Sequence, residues 1–207
     1  MGEASILAAL EIVHDGKGVQ VEFTKIDGLI SHTICLVNPD EKTPVLVSRI
    51  NELAQPCFTE LHQQGDMLFL TGANGAGHWS MSVQKGDRTF AGVSNPSQSK
   101  ANSSGQFLHF DIACRLKEPY PYLCNQYVAK ESFGCSRTIW ACSTMNAFDM
   151  ARGMVLLGGP MENNVFSPAP HYSMDCVSEH EIRFSPKDAT VASFPTTMRW
   201  SYGVWRI

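Results

Sequence analysis

Between Gln106 and Lys117 apolar and polar residues alternate, and the polar positions carry several kinds of chemistry at once. In an extended strand Leu108, Phe110, Ile112, Cys114 and Leu116 share one face, while Phe107, His109, Asp111, Ala113, Arg115 and Lys117 share the other. A carboxylate two residues from an imidazole can orient it, so His109 with Asp111 suits a general acid/base pair, and Arg115 and Lys117 suit an anion clamp. The outer face of a sheet that looks into water carries the same pattern, with charges that partly cancel.

A second stretch splits the same way. Trp79, Met81 and Val83 alternate with His78, Ser80, Ser82 and Gln84. If both polar faces lay on one sheet, His78, Ser80, His109 and Asp111 would be the parts of a Ser-His-Asp hydrolase, although no GxSxG turn is present to sharpen a serine. His32 differs from these, because it falls in phase with Ile30, Ile34 and Leu36 and so points inward. An inward histidine is either a hydrogen-bonded core residue or part of a ligand-cavity wall. On the terminal strand Trp205 shares a face with Arg199 and Ser201, opposite Met198, Trp200, Tyr202 and Val204. That makes Trp205 the aromatic expected at an interface and Trp200 and Tyr202 the ones expected in the core.

Other motifs fail on their context. The loop Gly72-Ala73-Asn74-Gly75-Ala76-Gly77 lacks the lysine and hydroxyl of a phosphate loop and leads into an alternating strand rather than a helix. The seven cysteines contain no CxxC pair and no zinc-finger spacing, so no metal site is expected and no motif specifies a cofactor. Free thiols are expected instead. Cys135 has Arg137 nearby as an activating neighbour and Cys176 has none, and the inert reading is preferred for both.

The elements that must position these residues read as strands. Ile6–Val13, Val19–Thr24, Leu29–Val37 and Pro44–Ile50 form a meander, with Asp27-Gly28 placed for a tight hairpin turn. Further strands are expected at Met67–Thr71, His78–Gln84, Thr89–Val93, Gln106–Lys117, Leu123–Ala129 and Thr138–Ser143, then near 173–178, 180–185 and 189–194, and at Thr197–Arg206. Residues 51–64 read as a short helix or an irregular connection, and Asn146–Leu157 as a helix closed by Gly158-Gly159-Pro160. The polar run from Ser94 to Gly105 reads as a loop or linker, so one β-rich domain over 1–207 is preferred to a division near 94–105. The expected fold is all-β, an antiparallel barrel or sandwich of about ten to twelve strands with one or two short helices.

Composition narrows the function. Of the 207 residues 43% are apolar and only 17% charged, with a formal net charge of −4. A disordered regulator would need less hydrophobicity and more charge. No positive field exists to hold nucleic acid or an anionic membrane. Without a basic segment ahead of an apolar one, and without a long apolar run, the expected setting is soluble and cytoplasmic. The leading expectation is a non-catalytic protein holding a small, partly apolar ligand in a cavity, with His32, His78, Ser80, Arg115, Lys117 and Trp205 as contacts. The alternatives are an enzyme using His109 and Asp111 with Arg115, and a structural or assembly subunit, with homo-oligomers allowed.

Overall fold

A computed structural model describes residues 5–50, 55–88, 105–120, 123–130, 136–137, 148–150, 154–158, 161–162, 165–166, 172–178, 180–186 and 193–206. Among these residues every regular element is a strand. In chain order they are β1 (Ser5–His14), β2 (Lys17–Ile26), β3 (Leu29–Val37), β4 (Lys42–Ser48), β5 (Glu60–Gln64), β6 (Met67–Ala73), β7 (Gly77–Arg88), β8 (Gly105–Leu116) and β9 (Asn125–Ala129). Then come β10 (Ser136–Arg137), β11 (Phe148–Met150), β12 (Met154–Gly158), β13 (Met161–Glu162), β14 (Val165–Phe166), β15 (Tyr172–Ser178), β16 (Glu181–Pro186) and β17 (Thr196–Arg206).

The strands form two sheets. The first is ordered β1-β2-β3-β4-β9-β16-β15 and is antiparallel throughout. The second has β12-β17-β8-β7-β6 as its antiparallel centre; β11 and β10 extend it on one side and β5 on the other, while β14 meets β7 through one parallel bridge at Val165 and Asp87. Strands from both halves of the chain enter each sheet. Among the described residues neither sheet closes on itself, and their inner faces pack together in a sandwich-like arrangement around one apolar cluster running from Leu10 to Trp205.

Turn chemistry starts the meander. Asp15-Gly16 and Asp27-Gly28 take positive φ at both central positions (51° and 73°, then 50° and 84°), the geometry that joins twisted strands in two residues. Gly18 is required for a different reason, because a Cβ there would lie 1.9 Å from the carbonyl oxygen of Ile12 on the paired strand. Alternation then does the rest: Val19, Val21 and Phe23 are fully buried between less buried neighbours. Burying a ring such as Phe23 or Phe110 contributes about 2–3 kcal/mol.

One expectation of helix is corrected, and the 51–64 stretch, read as a short helix or an irregular connection, is irregular over 55–59 and a strand after it. The segment read as a helix over Asn146–Leu157 contains β11 and β12, which pair with each other through Phe148↔Leu156, and β12 pairs in turn with β17. Helical spacing of apolar residues there is overridden by a free strand edge on which to pair. In the 51–64 stretch Glu60–Gln64 is a strand, and residues 55–59 cross between the sheets, with Ile30 N donating to Phe58 O and Thr59 N to Thr71 O. The strands expected at Thr89–Val93, Thr138–Ser143 and near 189–194 lie largely outside the described residues, as do the 94–105 loop (save Gly105) and Cys135.

Candidate functional site

Among the described residues a cluster of buried polar chemistry between the sheets centres on His32 of β3. Its ring stacks against Phe110 from the second sheet (5.8 Å between centroids) and lies 5.5 Å from Phe23. His32 Nε2 meets Tyr127 Oη of β9 at 2.5 Å, Tyr127 Oη bonds Tyr202 Oη of β17, and Asn125 Nδ2 donates to Tyr202 Oη at 2.6 Å. Phe184 stacks on Tyr202 at 4.0 Å, and Phe110 stacks on it at 4.9 Å. The chain of donors has one consistent direction. Asn125 donates to Tyr202, and the order that then uses every hydroxyl proton runs from Tyr202 to Tyr127 and from Tyr127 to an imidazole Nε2 without a proton. Burial therefore pushes His32 down to about 3, and burial raises both tyrosine hydroxyls, that of Tyr202 well above its ordinary value. His32 is inward as expected, with the rings of Phe23, Phe110 and Tyr127 against it. Such a cluster fixes the two sheets against each other. It offers neither a base poised near neutrality nor a nucleophile with a lowered pKa.

The polar faces of β7 and β8 do share a sheet. His78 is opposite Arg115, Ser80 opposite Ala113, Ser82 opposite Asp111, and Gln84 opposite His109. Register nevertheless keeps the hydrolase parts apart. His78 is four strand positions from the level of Asp111, about 13 Å, and Ser80 is as far from the level of His109. Asp111 is held by Arg199 of the next strand, whose guanidinium donates through Nε at 2.8 Å and also through Nη2. Nothing in the sequence singled out Arg199, because its diagonal position across β17 is a matter of register.

The 109–117 stripe thus has two environments. Its Phe107 and His109 end is buried, with the two rings edge-to-face, and Ser201 and Trp205 on the same outer face are buried as well. Trp205, expected at an interface, is only 4% exposed, and Trp200 and Tyr202 are in the core as expected. Arg115 and Lys117 are exposed at the other end, as are His78 and Ser80. The six residues expected to hold a ligand therefore fall into three places: the interior, an open outer face and a covered outer face.

Cys35, Cys57 and Cys114 carry free thiols. Burial pushes the Cys35 thiol to about 11 and the Cys114 thiol to about 12, and raises Cys57, so these are poor nucleophiles. Among the described residues no three His, Cys, Asp or Glu side chains are grouped to hold a metal ion, and no helix is long and apolar enough to cross a membrane.

The surface feature that stands out is the rim of the first sheet. Among the described residues the exposed large apolar side chains are Ile6, Leu7 and Val13 on β1, Ile26 on β2 and Val177 on β15. β1 and β15 are the two outermost strands of that sheet, and among the described residues each pairs on one side only. Sequence reasoning passed over these residues because alternation placed them on strands without saying which strands would be outermost. Comparisons of the chain with protein-family models, curated proteins and solved structures found no match.

Proposed function

We propose that this chain is a non-catalytic β-sandwich subunit that joins other protein chains along the open rim of its seven-stranded sheet. The observation that carries this reading is the placement of the exposed large apolar side chains on or beside the two outermost strands. Solitary proteins guard such strands with lysines, prolines or covering loops, since a free edge is a template for another strand. Here β1 has no lysine, arginine or proline from Ser5 to His14. The dispersal of the ligand contacts and the engagement of Asp111 by Arg199 favour this reading over a ligand cavity or an acid/base enzyme.

Site-specific photo-cross-linking in the producing cell tests it. A photoreactive residue at Ile6 or Val13 is expected to give discrete protein adducts, and one at His78, on the outer face of the other sheet, to give none. Equal labelling from both places, or none from the rim, overturns the reading.

A further inference from the structure

The glycine-rich loop between β6 and β7 holds the only Asn-Gly pair of the sequence, Asn74-Gly75. An asparagine before glycine can react with its own backbone. The following nitrogen attacks the side-chain carbonyl carbon, and glycine puts no Cβ in the way. We propose that Asn74 is a deamidation site that the fold holds closed, and that its conversion releases the crossing of residues 55–59 from the loop. This reading is independent of the sheet rim.

Three hydrogen bonds anchor the Asn74 amide. Its Oδ1 accepts from Ala76 N at 3.0 Å and from Trp79 Nε1 at 2.8 Å, and its Nδ2 donates to Gln55 O at 3.0 Å. Gln55 is buried and extends the connection, because its Nε2 donates to Gln126 Oε1 of β9 at 3.0 Å. Asn74 therefore ties the second sheet, through Trp79, to the first, through Gln55 and Gln126. Asn74 N also donates to Gly77 O at 3.0 Å and closes the turn. Gly75 is exposed, so water and base reach it.

The reaction exchanges NH for O. A base takes the proton of Gly75 N, and that nitrogen bonds to Asn74 Cγ. The Cγ–Nδ2 bond then breaks, and Nδ2 departs as ammonia with the proton returned by the base. Water opens the cyclic imide, at Cγ to give aspartate or at the Asn74 main-chain carbonyl to give isoaspartate. The folded loop opposes both halves of the first step. Cγ must turn onto Gly75 N against the two donors on Oδ1, and the departing nitrogen is engaged by Gln55 O. Conversion therefore follows opening of the loop, and afterwards the tie cannot re-form. A carboxylate oxygen stands where Nδ2 donated and faces the carbonyl oxygen of Gln55, acceptor against acceptor. Isoaspartate also lengthens the main chain inside the turn that Asn74 N and Gly77 O close. An opening is thus recorded covalently.

Peptide mass mapping of the full chain, aged at mildly alkaline pH with and without urea, is the test. Exchange of NH for O is expected at Asn74, at least about tenfold slower in the folded chain than in urea. Gly75→Ala is expected to slow the conversion in urea at least about tenfold, since a Cβ obstructs the attacking nitrogen. The aged chain separates from its parent by its added negative charge. In it, hydrogen exchange at Ile30 N and Thr59 N should quicken at least about tenfold, because these amides hold the crossing through Phe58 O and Thr71 O. Exchange at Val21, in the β2–β3 ladder, should stay unchanged, and Asn74→Asp should reproduce both results. A folded chain that never converts overturns the site, and one that converts as fast as in urea overturns its closure by the fold. Conversion indifferent to Gly75→Ala overturns the ring-closing route. Unaltered exchange at Ile30 and Thr59 in the aged chain, or equal quickening at Val21, overturns the local release.

Discussion

Replacing His32 by glutamine should flatten the acid sensitivity of folding, and the size of the change follows from the His32 environment. In the folded chain burial lowers His32 to about 3, against 6.5 for the free side chain. Below 6.5 the unfolded chain therefore binds a proton that the folded chain refuses until near 3, and stability falls with pH across that window. At 1.36 kcal/mol per unit the loss is small at pH 7, about 2 kcal/mol at pH 5 and about 3 kcal/mol at pH 4. The hydrogen-bond chain supplies the structural reason. A proton on Nε2 would turn the acceptor of Tyr127 into a donor, and the run from Asn125 through Tyr202 could no longer be satisfied in sequence. His32→Gln keeps an acceptor near Tyr127 and removes the titration, at a constant cost of about 1–3 kcal/mol for imperfect geometry. Urea unfolding of both proteins at pH 7 and pH 5 reads the difference, since the other histidines and the carboxylates are common to both. The wild type should lose about 2 kcal/mol more than the variant between the two pH values. Equal losses, or a larger loss in the variant, would refute the assignment of His32 as a buried neutral imidazole.

Two glycine substitutions should differ sharply in chemical denaturation. Gly18→Ala drives a Cβ to 1.9 Å from Ile12 O and should cost more than about 2 kcal/mol, whereas Gly28→Ala meets nothing within 4 Å and should cost about 1 kcal/mol for its positive φ. Asp111→Asn should change stability by less than about 1 kcal/mol, because Arg199 is 68% exposed and the pair is screened; thermal melts in low and high salt would show a larger effect if the pair held the sheet together.

The fold class and much of the strand layout were legible because alternation and Asp-Gly turns are local: Val19–Phe23 and the Asp27-Gly28 hairpin needed no knowledge of partners. The Asn146–Leu157 misreading shows the limit of locality, since those residues are strands through their pairing with each other and with β17. The inward register of His32 was equally plain, but its hydrogen-bond partners Tyr127 and Tyr202 are 95 and 170 residues away in the chain or joined through one another, and only packing of the sheets brings them together.

What the sequence by itself determined, then, is which face of each strand is apolar, because side-chain direction alternates with a period of two whatever the fold. What only the tertiary structure decided is which polar faces are covered, which charges meet and which strands are outermost. His109 and Trp205 are buried and Arg115 is exposed through neighbours set by strand order. Leu7 and Val13 matter only because β1 ends a sheet. Strand order is a property of long-range pairing, and a period of two carries no information about it.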